Sequence, residues 1–426
     1  MTPALAEPRP PQRACGQATR RRIIFAGGGT GGHLLPGLAV AEMLRRLHGD
    51  DVEIVFVGSG AAFERKHVAQ AGFTYHELAC RPWRRSPLAW PMFLATHWHG
   101  IRQAKRLLDE HATQVVVGLG GYASLPMAWA AASRDVPLVL LEQNAVAGKA
   151  NRWLARWASK ICLGLDAART GFSRLPAGRF VTTGTPLRAS FTKSLSENRR
   201  GLAHFATPCE QNVPVPLSAA GSRTGSKQTA DLRRERLLVI FGGSGGARQL
   251  NEAVPRALSR MPELREGWQI IHQTGDHGLA STKALYARLG IEATVRPWLD
   301  ELPQLLARAG LVVCRAGGTT LAELAATGTP SLVCPYPYAA DDHQRRNARV
   351  FAGAGACAII DPSDVPLDAD SPRLEQVLGS LLGDPPLRRQ LGEAALRQAR
   401  PAAADAVASI VARYAKCGEH ADGPVL

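Results

Sequence analysis

His33 stands directly behind five glycines in six positions, the run Gly27 to Gly32 broken only by Thr30 (GGGTGGH). A turn of this kind lets backbone N–H groups approach a ligand closely, and the positive end of the helix that follows favours an anion such as phosphate. The imidazole beside it could take a proton when neutral or steady a phosphate when charged. A second cluster, GLGGYAS, carries Gly118, Gly120, Gly121 and Tyr122, and a third, FGGSGGARQLN, adds the Ser244 hydroxyl and Arg248. One such loop is often only a tight strand-to-helix turn. Three at strand ends exceed what turns alone explain and point to phosphate-type binding. Gly27, Gly29 and Gly32 formally match GxGxxG, but a dinucleotide site also wants an acid at the end of the second strand. That strand ends FVGSG, with Glu53 inside it, which weakens an NAD reading.

A further constellation runs from Cys314 to Ala348, CRAGGTTLAELAATGTPSLVCPYPYAADDHQRRNA. Gly317 and Gly318 open a helix carrying Thr319, Thr320 and Glu323. A carboxylate one turn into a helix, near strand ends, can accept two hydrogen bonds from vicinal ribose hydroxyls; the same residue also reads as an ordinary solvated glutamate. Asp342, His343 and Gln344 could point polar groups at a sugar, or Asp341 or Asp342 could simply cap a helix.

These residues need strands to carry them. Apolar runs alternate with amphipathic patterns: 23–26, 52–57, 114–117, 138–141, 160–163 and 180–183 in the first half, then 237–241, 269–272, 294–296, 311–314, 331–334 and 358–360. The alternation predicts an α/β chain with two Rossmann-like, doubly wound parallel-sheet domains facing a cleft, with ligands beyond the carboxyl ends of the strands. Both halves begin alike, as IIFAGGGTGGH and LVIFGGSGGAR. The expected division is a disordered tail over 1–21, a first domain over 22–193, a flexible linker insertion over 194–234, a second domain over 235–400 and a last helix and tail over 401–426. Pro36 is expected in a first helical turn, where its missing N–H costs little.

The chain has 426 residues, 45% of them hydrophobic, enough for two cores, and a net charge of +15 that predicts an acidic partner. Eight cysteines show neither CxxC nor zinc spacing; Cys162, Cys314, Cys334 and Cys357, in or beside apolar runs, read as core packing, the compartment reads as reducing, and no metal or cofactor is expected. No stretch of 18 apolar residues offers a membrane span. Missing RNA-module motifs and basic–aromatic repeats argue against nucleic acid. The stretch CRPWRRSPLAWPMFLATHWHGIRQAKRL instead rings Leu88, Trp90 and Phe93 with Arg84 and Arg85, a pattern suited to docking on an anionic membrane surface. Its part after Thr96 also reads as a core helix with a solvated basic face.

GGGTGGH, GLGGYAS, LEQNAVAGKANRWLA, GTPLR, FGGSGGARQLN, HQTG, CRAGGTTLAELAATGTP and DHQRRNA occur in the order and context of the MurG family, and the chain resembles it over roughly residues 22 to 415. The resemblance implies a GT-B glycosyltransferase with a final helix crossing back to the first domain. It implies inverting transfer of N-acetylglucosamine from UDP-GlcNAc to the 4-hydroxyl of an undecaprenyl-diphosphate muramyl-pentapeptide acceptor, at the cytoplasmic face of the inner membrane, alongside other cell-wall and division proteins. By resemblance, His33 is a candidate base. Thr30, Gly31, Gly32, Asn144, Arg188, Ser244, Leu299, Gln344 and the stretch Gly318, Thr319, Thr320, Leu321, Ala322 and Glu323 bind the donor. Gly28, Gly29, Gly118, Gly120, Gly121 and Tyr122 meet the acceptor diphosphate. Thr185 stands where the family often has Asn, Gly245–Gly246 where it has Gln–Gly or Leu–Gly, and His343 where some members have Gln. A soluble acceptor on the same fold is the alternative among enzymes.

Overall fold

The computed structural model describes residues 20–81, 90–172, 175–191, 235–243, 245–361, 367 and 370–416. Its apolar runs form two parallel sheets. The first contains β1 (Arg21–Gly27), β2 (Val52–Gly58), β3 (Thr74–Glu77), β4 (Val115–Gly120), β5 (Leu138–Glu142), β6 (Lys160–Leu163) and β7 (Phe180–Thr182), in the order β3-β2-β1-β4-β5-β6-β7. The second contains β8 (Glu235–Phe241), β9 (Gln269–Gln273), β10 (Thr294–Arg296), β11 (Ala309–Cys314), β12 (Ser331–Val333) and β13 (Ala358–Ile359), in the order β10-β9-β8-β11-β12-β13. In each sheet the order reverses beside the first strand, and a crevice opens there at the carboxyl ends. All four glycine turns border these two crevices: those after β1 and β4 in one sheet, those after β8 and β11 in the other.

Period-two alternation splits each strand between two cores. From the first sheet, Ile24, Ala26, Val55 and Val57 face Met127, Ala128 and Leu154. Ile23, Phe25 and Phe56 face Leu34, Leu38 and Leu44. From the second, Val239 and Phe241 meet Leu321 and Leu324, while Leu238 and Ile240 meet Leu250, Val254 and Leu378. Burial on both faces is why these strands read as continuous apolar runs. β3 is the strand the sequence did not announce: TYHE is polar, half-exposed, and pairs only with β2 at the sheet edge.

The chain crosses between the sheets twice. After β7 it passes through Gly184–Arg188 and seats Phe191 in the second core. After the helix Pro385–Gln398 it returns, and the helix Ala403–Lys416 lays Val407, Ala408 and Val411 on the first core. The crossings touch. A Cβ at Gly184, whose φ is +83°, would lie 2.3 Å from Arg400 Cβ, so only glycine fits there. No described helix is long and apolar enough to cross a membrane.

Candidate active site

The helix Gly31–His48 starts at the first glycine turn and the helix Gly318–Thr327 at the fourth, one from each sheet. Their N-termini meet across the cleft, where Thr319 Oγ1 donates to Gly32 O at 3.0 Å. Pro36 makes that bond available. It is the sixth residue of its helix, not part of the first turn as expected, so its missing N–H removes the bond that Gly32 O would otherwise accept from within the helix. The hydroxyl from the other half takes the vacated carbonyl. Two helix N-termini facing one gap concentrate unpaired N–H groups and positive potential, the conditions a diphosphate needs. Gly318 is glycine for a steric reason: a Cβ there would stand 2.3 Å from Gln143 O of the opposite half.

His33 lies in the first turn. Its Nδ1 is 3.1 Å from Thr30 Oγ1, and its ring packs on Gly120, whose Cβ would come within 3.1 Å of Cδ2. Burial lowers the imidazole pKa below its ordinary value, the Glu142 carboxylate opposes this, and His343 adds to it. The balance favours the neutral ring, the form able to accept a proton. Glu142 ends β5 and is itself held by four donors: Asn144 N at 3.1 Å, Asn144 Nδ2 at 3.2 Å, Gly148 N at 2.8 Å and Asn151 Nδ2 at 2.9 Å. Asn144 Oδ1 accepts from Asn347 Nδ2 at 3.0 Å, and Asn347 Oδ1 accepts from Ala145 N at 2.6 Å. Asn347, which the sequence reading passed over, is thus a buried bridge between the halves.

Glu323 is buried, not solvated, and its carboxyl is pushed up to about 7 by burial, with the Arg188 guanidinium pulling the other way. Among the described residues nothing donates to that carboxylate. Arg188 also pulls against the raised carboxyl of Glu42 on the first helix, so its charge acts on both halves of the cleft. Thr320 and Ala322 are half-buried beside Glu323. Leu321 points into the second core and Leu299 joins it there, so only their backbone can meet a ligand. Gln344 Oε1 accepts from Tyr336 N at 2.9 Å, tying its helix to the PYPY loop. The third loop rests on the HQTG strand end. Gln273 Nε2 donates to Gly243 O and Pro297 O, and buried His272, pushed down to about 3 by burial, holds Asn251, whose Nδ2 donates to Thr274 O. Ser244 lies outside the described residues.

The first two loops pack on each other. A Cβ at Gly27 would sit 2.6 Å from Gly120 O, and one at Gly121 would sit 3.2 Å from Gly28 O. Gly118 is inside β4 against Leu140 and away from the cleft, while the Gly29 N–H is already given to Glu64. Beside His33, Gly120, Gly121 and Tyr122 opens a cavity of about 810 Å³. Glu142, Asn144 and His343 contribute polar lining, and Phe93, Trp98, Ile101, Trp129 and Trp153 an apolar wall. Much of that wall belongs to the helix Trp90–Glu110, which buries Gly100, Ala104 and Leu108 and leaves Trp90, Met92, Leu94 and Trp98 half or more exposed. Arg102 stacks over Trp98 at 5.2 Å. From Gly100 onward the helix serves the core, while Trp98 stays open with the residues before Thr96. Arg84, Arg85 and Leu88 lie outside the described residues.

Residues 23–163 match the model of the glycosyltransferase family 28 N-terminal domain, and residues 237–405 that of the family 28 C-terminal domain. Over 382 residues the chain is 38% identical to the UDP-N-acetylglucosamine–N-acetylmuramyl-(pentapeptide) pyrophosphoryl-undecaprenol N-acetylglucosamine transferase of Pelobacter propionicus, spanning 89% of this chain and 96% of that protein. The Geobacter sulfurreducens protein of the same name is 35% identical over 390 residues, spanning 91% and 96%. The crystal structure of Acinetobacter baumannii MurG is similar with a TM-score of 0.65 at 26% identity, over 92% of this chain and 99% of that one. The UDP-GlcNAc 2-epimerase of Neisseria meningitidis, at 9% identity and a TM-score of 0.62 over 92% and 100%, shares the fold alone.

Proposed function

The chain belongs to glycosyltransferase family 28, in its MurG branch, and from that membership we infer the reaction and the residues that carry it. The protein is an N-acetylglucosaminyltransferase of GT-B fold. It moves N-acetylglucosamine from UDP-GlcNAc to the 4-hydroxyl of the undecaprenyl-diphosphate muramyl-pentapeptide with inversion, in peptidoglycan synthesis. Inversion needs one in-line displacement: the acceptor oxygen bonds to the anomeric carbon as the bond to UDP breaks, and the hydroxyl proton leaves to a base.

The half built on the first sheet takes the acceptor and the half built on the second takes the donor. His33 is the base. In the tautomer whose Nδ1–H donates to Thr30, Nε2 keeps a lone pair for the hydroxyl proton, and burial favours the neutral ring. Glu323 accepts the ribose hydroxyls, and the Leu299 backbone, Gln344 and the Gly318–Thr320 turn hold uracil, sugar and phosphates. Charge developing on UDP is stabilised by the paired helix N-termini and Arg188. The observation that carries this reading is the Thr319–Gly32 contact, which brings both helix ends to one gap between a neutral His33 and an open, buried Glu323.

The lipid-linked acceptor is supported by the cavity beside His33, whose apolar wall suits an isoprenoid chain better than a peptide. We place the protein peripherally on the cytoplasmic face of the inner membrane, docked through the open part of the Trp90–Glu110 helix and the basic segment before it. Exposed Trp90, Met92, Leu94 and Trp98 beside Arg102 and Arg106 support this. The test is a transfer assay with UDP-GlcNAc and either the undecaprenyl-diphosphate acceptor or a soluble muramyl peptide. Transfer to the lipid acceptor is expected. Transfer to the soluble acceptor alone would refute the reading.

A further inference from the structure

In each half a buried glutamate stands beside a glycine turn, Glu64 in one and Glu323 in the other, and these two are in opposite states. Glu64, on the helix Ala62–Gln70, is fully buried. Its Oε1 accepts from Gly29 N of the first glycine loop and from Ser59 Oγ at 3.0 Å; its Oε2 accepts from Ser59 N at 2.9 Å and Tyr75 OH at 2.6 Å. Tyr75 Oη in turn accepts from Gly60 N at 2.8 Å. The carboxylate therefore spans the loop after β1 and the end of β2, the crevice where a doubly wound sheet places a nucleotide's phosphate and ribose. Gly28 and Gly58 make room for it: a Cβ on either would come within 2.6 Å of a Glu64 oxygen. In the second half the corresponding loop is tied the other way. Gln273, at the end of β9, donates to the loop carbonyl of Gly243, where the first half has a carboxylate accepting from a loop N–H, and the carboxylate of Glu323 has no donor among the described residues.

We propose that Glu64 is a positioning residue that serves as a resident anion for the first glycine loop. It consumes the loop's own anion-binding N–H, fixes the turn so that Thr30 to His33 face the cleft, and fills the nucleotide crevice of the first half. The donor nucleotide is thereby left with the second half, where the carboxylate is open. A carboxylate suits this role and an amide does not. All four groups around Glu64 are donors, and a glutamine would turn an NH2 toward at least one of them.

This proposal rests on the transferase reading, and its test separates the two. Initial rates with UDP-GlcNAc and the lipid acceptor are measured for wild type, Glu64→Gln and Glu64→Ala, with thermal melts to show that each is folded. Glu64→Gln is expected to lose at least tenfold in kcat while the KM for UDP-GlcNAc stays within twofold. Glu64→Ala should recover part of its lost kcat in formate but not in chloride of equal ionic strength, because formate restores the missing anion; general destabilisation would not respond to it. A folded Glu64→Gln with wild-type kcat, or one whose loss lies wholly in donor KM, overturns the proposal, as does a Glu64→Ala that formate leaves unchanged. If neither variant folds, Tyr75→Phe and Ser59→Ala each withdraw one donor from the carboxylate. A several-fold loss of kcat at constant donor KM supports the role, and wild-type kcat in both overturns it. A wild-type chain inert with donor and acceptor would instead refute the transferase reading itself.

Discussion

Replacing Glu323 by Gln should move stability and donor affinity in opposite directions. Burial lifts this carboxyl from an ordinary 4.5 to about 7, with Arg188 only partly opposing. The folded state then holds the proton more tightly than the unfolded chain, so wild-type stability falls as pH rises from 4.5 to about 7, and the whole penalty is present above that. At 1.36 kcal/mol for each tenfold change in proton affinity, the penalty is about 3 kcal/mol. Glutamine has nearly the same shape and no charge. The variant should match wild type near pH 4.5 and exceed it by up to about 3 kcal/mol at pH 8. Donor binding runs the other way, because the ionised carboxylate makes charge-assisted bonds to ribose that an amide makes weakly. The loss should be roughly 1.5–3 kcal/mol, or about 10- to 150-fold. Urea unfolding followed by tryptophan fluorescence from pH 5 to 8, with calorimetry of UDP-GlcNAc at pH 8, reads both. A stability gain that ignores pH would refute the buried-charge argument, and undiminished donor affinity would refute the ribose assignment.

His33→Ala should cut kcat roughly 100-fold or more at little cost in donor KM. In the wild type the acid limb of the rate profile should lie below the ordinary histidine range, since activity is lost only where the depressed imidazole protonates; persistence of that limb in the variant would exclude His33 as the base. Pro36→Ala returns an N–H to Gly32 O in competition with Thr319, so it should stabilise the fold slightly and raise donor KM several-fold, and Thr319→Val should raise KM alike without the stabilisation. Wild-type KM in both would show that the bridge does not matter. Gly318→Ala forces a methyl against Gln143 O and should slow turnover at least tenfold while barely moving the melting temperature; a large drop in melting temperature would show instead that the contact holds the fold. Trp90→Ser with Met92→Ser should weaken flotation on anionic vesicles and spare transfer to a short-chain acceptor, and wild-type flotation would count against docking through this helix.

The doubly wound halves were legible because strands buried on both faces leave runs such as LLVIF, and because glycine turns mark their carboxyl ends. β3 was not, since an edge strand that buries little needs no apolar residues. Glu64 shows a subtler limit. The second strand ends FVGSG, with no acid of its own, yet a carboxylate does arrive there, from the next helix. In AAFERKHV it is indistinguishable from a solvated helical glutamate. The same ambiguity covered Glu323, whose place after a glycine turn was plain while its burial was not. Pro36 looks harmless in the sequence because nothing there marks that the helix already starts at Gly31, a turn before it. Asn144 was readable from its motif, but its partner Asn347 is some 200 residues away in sequence and is brought to it only by the way the halves meet.

The returning helix also orders events during synthesis. The first sheet is complete once β7 has been made, yet one face of it is covered only in part, by the helix Gly31–His48, until Val407, Ala408 and Val411 arrive after the whole second half has been translated. N-terminal domains generally fold first as they emerge. This one must wait, holding Ile23, Phe25 and Leu38 incompletely covered while its neighbour folds. A nascent chain stalled shortly before residue 403 should therefore bind chaperones through its first half, though that half already contains every strand of its sheet.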